Sequence, residues 1–125
     1  MKILVVDDER DVEALFRQRF RKELRAGEVD FKFVFSAEEA LQYLHQHKHE
    51  VVLILSDVNM PGMSGLEMLT IIKQKFPQIH VSMVSAYGDS ENYNKAISSG
   101  AKGFFTKPVD FESLKKEILN LQGRE

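Results

Sequence analysis

Short apolar runs alternate with amphipathic stretches along the whole chain. The runs are rich in β-branched and aromatic residues, as β-strands are, and they cover 3–6, 31–35, 51–55, 79–84 and 103–105. After each run, apolar residues recur at intervals of three and four, which is the spacing of an amphipathic helix. The helical positions include Val12, Phe16 and Phe20, then Leu41 and Leu44, Leu66 and Leu69, Tyr93 and Ile97, and Leu114 and Ile118. The pattern predicts five successive β/α units, (βα)₅.

Capping signals place the ends of several predicted helices. Ser36 with Glu39 three residues later is a capping box, and Asp110 stands directly before the apolar Phe111. Glycines follow the first, fourth and fifth helical stretches, at Gly27, Gly100 and Gly123.

Strict alternation of strand and helix predicts a parallel sheet with helices on both faces. The first and third apolar runs are uninterrupted, which suits the centre of the sheet. In the second run, Phe31, Phe33 and Phe35 alternate with Lys32, which suits an edge strand. The predicted fold is therefore a doubly wound α/β domain with a five-stranded parallel sheet in the order 2-1-3-4-5.

Length and composition narrow the class of protein further. The chain has 125 residues, 43% of them hydrophobic, which fits one domain over residues 1–125. The net charge is -2 and no basic stripe is visible, so we expect no direct binding of nucleic acid. The sequence lacks cysteine, a charged-then-apolar leader and any apolar run long enough for a bilayer, and these features favour a cytoplasmic protein without a membrane span.

Charged side chains gather at the predicted carboxyl ends of the strands, where the functional groups of open parallel sheets lie. Asp7 and Asp8 follow the first strand, Asp57 ends the third, and Lys107 follows the fifth. Asp7 and Asp8 could simply cap a helix, and Lys107 could be a solvated surface charge. Carboxylates brought within roughly 5 Å, however, repel by about 3 kcal/mol per pair at an effective dielectric near 20. An oxygen-only group of this kind favours Mg²⁺ as the compensating ion.

The residues at this edge resemble the receiver domain of two-component response regulators, and the resemblance covers essentially the whole chain. Asp7-Asp8 matches the paired acids of the family, and the segment from Asp57 to Gly65, DVNMPGMSG, matches its phosphoacceptor segment. Ser85-Ala86 and Lys107-Pro108 match its two remaining motifs, and Gly100-Ala101 precedes the fifth strand as in the family. The resemblance implies a flavodoxin-like fold.

The resemblance also implies a role for each matched residue. Asp57 would accept a phosphoryl group from a histidine kinase or phosphotransfer protein, or from a small phosphodonor. Asp8, Asp57 and the carbonyl of Asn59 would bind Mg²⁺, and Asp7 would hold a water bound to the metal. Lys107 would neutralise the phosphoryl charge. The chain would catalyse only its own phosphorylation and dephosphorylation, and would not otherwise act as an enzyme.

In the family, a hydroxyl and an aromatic residue switch the output surface. Ser85 would hydrogen-bond the phosphoryl group, and Phe104, where tyrosine is more usual, would rotate inward by packing alone, although it could also be a plain core residue. A cis bond is implied before Pro108. Asn59 and Tyr87 would flank the path of the hydrolytic water. The predicted fourth helix, fifth strand and fifth helix would bind a downstream effector or a second copy of the chain.

Three other readings remain open at this point. One is an interaction module that works without phosphorylation, although no acid and no lysine of the motif is lost. Another is a hydrolase with an aspartate nucleophile, for which Asp57-Val58-Asn59 is a superficial cue. A third is a flavin-binding domain, whose first loop would be expected to lack acids. The sequence identifies neither the cognate kinase nor the output.

Overall fold

The computed structural model describes residues 1–86 and 90–122. In this part of the chain, five strands form one sheet and six helices cover it. The strands are β1 (Lys2–Val6), β2 (Asp30–Val34), β3 (Val51–Asp57), β4 (His80–Ser85) and β5 (Gly103–Thr106). The helices are α1 (Asp11–Arg19), α2 (Arg21–Arg25), α3 (Ala37–His47), α4 (Gly65–Lys75), α5 (Ser90–Ser98) and α6 (Phe111–Leu121).

All strand pairs are parallel and the strand order is 2-1-3-4-5, which confirms the predicted topology. β3 lies at the centre of the sheet, and its seven residues are buried except for half-buried Val52. β2 lies at an edge, where Asp30 and Lys32 are exposed and Phe31 and Phe33 are buried. The alternation in β2 therefore reflects an edge strand with a helix-covered face and a partly solvent-exposed face.

The two faces of the sheet carry separate cores. On one face, α3, α4 and α5 pack against the sheet through residues such as Leu44, Leu69 and Ala96. On the other face, α1 and α6 pack against it mainly through phenylalanines. Phe16 of α1 makes edge-to-face contacts with Phe31 and with Phe111, at ring-centre distances of 5.6 and 5.2 Å. The doubly wound arrangement thus follows from the apolar stripe that each helix presents.

The first helical stretch differs from its prediction, because it breaks into two helices at Phe20. The backbone of Phe20 has φ -107° and ψ 23°, outside the helical region, and its buried ring packs 5.1 Å from that of Phe31. The predicted single helix is therefore α1 followed by the short α2, and the predicted fourth and fifth helices are α5 and α6.

Caps fix the starts of the helices nearest to the site. Ser36 accepts a hydrogen bond from the N–H of Glu39, but the Glu39 carboxylate accepts from Phe35 instead of Ser36, so the predicted capping box is only half formed. A complete capping box, absent from the sequence-based prediction, joins Ser64 and Glu67 at the start of α4.

Gly65 is required where α4 begins. A Cβ atom at this position would lie 2.0 Å from the carbonyl oxygen of Asp57, which no side chain can tolerate. The N–H of Gly65 also donates to the carbonyl of Val58, at 2.8 Å. The absent side chain therefore lets α4 start directly against the end of β3, next to Asp57.

Candidate functional site

Three carboxylates meet at the carboxyl edge of the sheet. Asp57 ends β3, and Asp7 and Asp8 follow the neighbouring strand β1. One oxygen of each carboxylate lies within 4.8 Å of the others. Asp7 and Asp57 are buried, with 8% and 7% of their surface exposed, whereas Asp8 is exposed. The structure therefore brings together the three acids that the sequence indicated.

Lys107 lies next to these carboxylates and approaches them from β5, on the opposite side of β3 from Asp7 and Asp8. Its Nζ lies 3.1 Å from Oδ2 of Asp57 and 3.8 Å from Oδ2 of Asp7. The N–H of Lys107 donates to the carbonyl of Ser85 at 2.8 Å, and the peptide bond between Lys107 and Pro108 is cis. The end of β5 is thus held against the end of β4, so that the lysine reaches across β4 to the acids.

Burial sets the electrostatics of the site. It raises the pKa of both Asp7 and Asp57 above the ordinary 3.8, because a desolvated carboxylate favours its neutral form. The hydrogen bond and charge of Lys107 oppose this rise at Asp57 without cancelling it. Burial lowers the pKa of Lys107 in turn, but its contacts with Asp57 and Asp7 outweigh burial and leave that pKa raised. The ammonium of Lys107 therefore compensates the negative charge of the two buried carboxylates only in part.

The donor set fits a hard divalent cation. Asp7, Asp8 and Asp57 offer only carboxylate oxygens, and the chain has no cysteine. Mg²⁺ binds through one or two carboxylates, carbonyl oxygens and several waters, whereas zinc favours nitrogen and sulfur. The acids that repel one another in the free protein thus provide the ligand chemistry of a magnesium site.

Asn59 lies in a loop whose ends are fixed. The N–H of Val58 donates to the carbonyl of Val84 at 2.9 Å, and Met60 is buried in the core on the α3–α4 face. Asn59 itself is exposed between these two anchored residues. Its backbone N–H donates to the Asp57 carboxylate, which places Asn59 at the edge of the acidic group.

Ser85 lies on β4, the strand beside Asp57, and Phe104 lies one strand further out, on β5. Ser85 ends β4, is fully buried, and follows Val84, which pairs with Asp57 across the sheet. Phe104 is half-buried in β5 and packs edge-to-face with Tyr93 of α5, with ring centres 5.2 Å apart. Tyr87, which the sequence also singled out, lies outside the described residues.

Glu9 is a residue at the site to which the sequence reasoning gave no role. Its Oε1 lies 3.3 Å from Nζ of Lys107, so it shares the ammonium with Asp57. The only indication of its role in the sequence was its position directly after Asp7-Asp8. The direction of an exposed side chain in a loop cannot be read from sequence spacing, and the contact therefore appears only in the structure.

A cleft of about 250 Å³ opens beside the acidic group. Asp57 and Lys107 form part of its wall, and apolar side chains of α1, Val12, Leu15 and Phe16 among them, form another part. Leu15 is 42% exposed, which is high for a leucine. The cleft joins the charged group to an apolar surface.

The helices within residues 1–86 and 90–122 are short or amphipathic. Each helix there is too short or too polar to cross the hydrocarbon core.

Comparison with known proteins agrees with this architecture. A family model described as the response regulator receiver domain matches residues 3–119. The response regulator protein PilR of Pseudomonas aeruginosa is 34% identical over 117 residues, which cover 94% of this chain and 25% of PilR. The chain thus spans about a quarter of the length of that relative.

Solved structures agree as well. A response regulator receiver domain protein from Clostridium thermocellum superposes with a TM-score of 0.86 at 27% identity, over 98% of this chain and 94% of that chain. A chain from the co-crystal structure of the Saccharomyces cerevisiae histidine phosphotransfer signalling protein Ypd1 and the receiver domain of Ssk1 shares the fold. Its TM-score is 0.82 at 22% identity, over 97% of this chain and 88% of that chain. The chain described here therefore belongs to the response regulator receiver domain family.

Proposed function

We propose that the chain is the phosphoacceptor domain of a two-component phosphorelay and that Asp57 is the acceptor. The observation that carries this proposal is the position of Asp57: its buried carboxylate lies 3.1 Å from the ammonium of Lys107 and within 4.8 Å of two further acids. A carboxylate in this setting is a nucleophile with a cation beside the place where a phosphoryl group would arrive.

The chemistry is a phosphoryl transfer between two protein side chains. An oxygen of Asp57 forms a bond to phosphorus while the bond from phosphorus to the imidazole nitrogen of the donor histidine breaks, and the electron pair stays on that nitrogen. The product is an acyl phosphate on Asp57. Positioning and charge neutralisation supply most of the catalysis of such transfers, and the Lys107 ammonium provides both on the protein side.

Asp8, Asp57 and the carbonyl of Asn59 would hold Mg²⁺, and Asp7 would hold a water bound to the ion. When bound, Mg²⁺ would neutralise charge on the phosphoryl oxygens. The crowding of three acids supports this assignment, because burial raises the pKa of Asp7 and Asp57 even with Lys107 beside them.

Phosphorylation of Asp57 would change the output surface through Ser85 and Phe104. A phosphoryl group on Asp57 would draw the hydroxyl of Ser85 toward it, and Phe104 would then turn toward the space that Ser85 leaves. Phe104 packs on Tyr93 of α5, so its rotation would change the surface formed by α5, β5 and α6. Tyr93 and Ile97 on α5 are 48% and 43% exposed, which supports this surface as the output for an effector or a second copy of the chain.

The partner upstream would be a histidine kinase or a phosphotransfer protein. In the Ssk1 structure, the receiver domain is in complex with the phosphotransfer protein Ypd1. The apolar wall of the cleft beside Asp57 supports a protein donor here too, since a partner helix could cover Leu15 while it presents its histidine.

We further propose that this function is exerted in the cytoplasm and that residues 1–125 form one domain. The only reactions that the domain would catalyse are its own phosphorylation and dephosphorylation.

Phosphorylation by acetyl phosphate with MgCl₂, followed by intact mass measurement, tests this function. We expect one added phosphoryl group on the wild-type chain, and none after Asp57→Asn or after removal of Mg²⁺ with EDTA. Asp30→Asn is a matched control, because Asp30 begins β2 at the opposite edge of the sheet and should leave the reaction unchanged. Turnover of an unrelated phosphoester would favour the hydrolase instead. A protein that gains no phosphoryl group would favour the phosphorylation-independent module.

A further inference from the structure

The Glu9 carboxylate competes with Asp57 for the same ammonium. Nζ of Lys107 lies 3.3 Å from Oε1 of Glu9 and 3.1 Å from Oδ2 of Asp57. The two carboxylates differ in their surroundings, because the side chain of Glu9 is 68% exposed and that of Asp57 only 8%. Lys107 therefore bridges the buried acceptor and a negative charge at the mouth of the site.

Local structure fixes the backbone that presents Glu9. Its N–H donates to Oδ1 of Asp7 at 2.9 Å, which ties the residue to the acidic group. The next residue, Arg10, places its guanidinium 4.1 Å from the centre of the Phe35 ring, on the loop that follows β2. The chain is thus held on both sides of Glu9, and Glu9 lines the cleft beside Asp57.

We infer that Glu9 is a specificity-determining residue that selects phosphodonors by their charge. The inference rests on the proposed function of Asp57 as phosphoacceptor. Glu9 acts in two ways: it draws Lys107 away from the acceptor, and it repels donors in proportion to their negative charge. The first effect acts on the acceptor that every donor shares, whereas the second separates donors of different charge.

Two small donors isolate the second effect. Acetyl phosphate is a dianion at neutral pH, and phosphoramidate is a monoanion overall because its nitrogen is protonated. In both reactions an oxygen of Asp57 bonds to phosphorus and the bond to the leaving group breaks. Acetate or ammonia departs with the electron pair. A change in the nucleophilicity of Asp57 affects both reactions alike and cancels in the ratio of their rate constants, so the ratio reports the charge that a donor meets at the mouth of the site.

The experiment compares this ratio in the wild type and in Glu9→Gln, with MgCl₂ present and phosphorylation followed by intact mass. At low ionic strength we expect Glu9→Gln to raise the ratio, acetyl phosphate over phosphoramidate, by about three- to tenfold, and we expect high salt to reduce that gain. Glu9→Asp should keep the wild-type ratio, because it keeps the charge. Glu28→Gln is the matched control for net charge, since Glu28 precedes β2 at the opposite edge of the sheet, and should not change the ratio.

Each possible result bears on the inference. A ratio in Glu9→Gln that equals or falls below that of the wild type overturns it, as does a gain that is equally large at high salt. A purely structural role for Glu9 would alter both rate constants together and leave the ratio unchanged. A wild-type chain that accepts a phosphoryl group from neither donor refutes the proposed function itself, and the inference with it.

Discussion

Nζ of Lys107 and Oδ2 of Asp57 lie 3.1 Å apart, although 50 positions separate the two residues in the chain. The contact neutralises part of the charge of a buried carboxylate. Asp57 nevertheless keeps a raised pKa, so the fold tolerates its charge at a cost in stability. This relationship connects the proposed chemistry to properties that can be measured without any phosphodonor.

Asp57→Asn should stabilise the metal-free protein. The substitution removes a buried charge, and Lys107 keeps its contacts with Asp7 and Glu9. We expect the free energy of unfolding at neutral pH to rise by on the order of 1 kcal/mol, measured by urea denaturation. Added MgCl₂ should stabilise the wild type more than the variant. A variant less stable than the wild type would show that Lys107 fully compensates Asp57.

The same gain should depend on pH. Because burial raises the pKa of Asp57 in the folded state, the folded chain binds more protons than the unfolded chain above the ordinary value of 3.8. The contribution of Asp57 to the free energy of unfolding therefore falls as the pH rises from 3.8 through the raised pKa of the folded state. The difference between Asp57→Asn and the wild type should be small near pH 3 and grow toward neutral pH. A difference that is constant with pH would refute this electrostatic explanation.

Gly65→Ala should disrupt the junction of β3 and α4. The added Cβ would lie 2.0 Å from the carbonyl oxygen of Asp57 and 2.9 Å from the terminal methyl of Met83. We expect a loss of roughly 2–4 kcal/mol in the free energy of unfolding. Gly27→Ala is the matched control: its φ of 72° is unfavourable for alanine, but no atom lies within 4 Å of the added Cβ. It should cost only about 1–2 kcal/mol, and equal losses in the two variants would contradict the predicted clash.

A hydrogen bond between side chains of α6 and β4 should contribute to the stability of the fold. The hydroxyl of Ser82, fully buried in β4, donates to Oε2 of Glu117 in α6. The carboxylate passes over Gly103, where a Cβ would lie 2.2 Å from Oε1 of Glu117. Ser82→Ala removes the donor to a half-buried carboxylate, and we expect it to cost about 1–3 kcal/mol in a denaturation experiment.

The variant Glu117→Gln provides the control for this pair, because its side-chain carbonyl can still accept the hydrogen bond. It should be closer to the wild type than Ser82→Ala. In a double-mutant cycle with Glu117→Ala, the two losses should be less than additive. Fully additive losses would show that the pair contributes no coupling.

The sequence predicted the topology because burial leaves a periodic trace. The uninterrupted apolar residues of β3 indicated the centre of the sheet, and the alternation of Phe31, Lys32 and Phe33 indicated an edge. The predicted site acids also meet, since the carboxyl ends of parallel strands lie along one edge. Patterns of this kind depend on which face of an element is covered, and the sequence records that directly.

Features that depend on individual side-chain directions could not be predicted. The helix breaks at Phe20, whose ring packs on that of Phe31, although helical periodicity runs through this position unchanged. The contact of Glu9 with Lys107 joins two loops, whose relative position is set by the whole sheet. The capping box of Ser64 and Glu67 did have a local signal, a serine followed by glutamate three residues later.

Locating the phosphoryl group on the chain tests the central claim most directly. After reaction with acetyl phosphate and MgCl₂, borohydride reduction converts an aspartyl phosphate to homoserine, and peptide mass spectrometry identifies the modified position. We predict homoserine at position 57 alone. Homoserine at position 7 or 8 with an intact Asp57, or unmodified aspartate throughout a chain that has gained a phosphoryl group, would contradict the account.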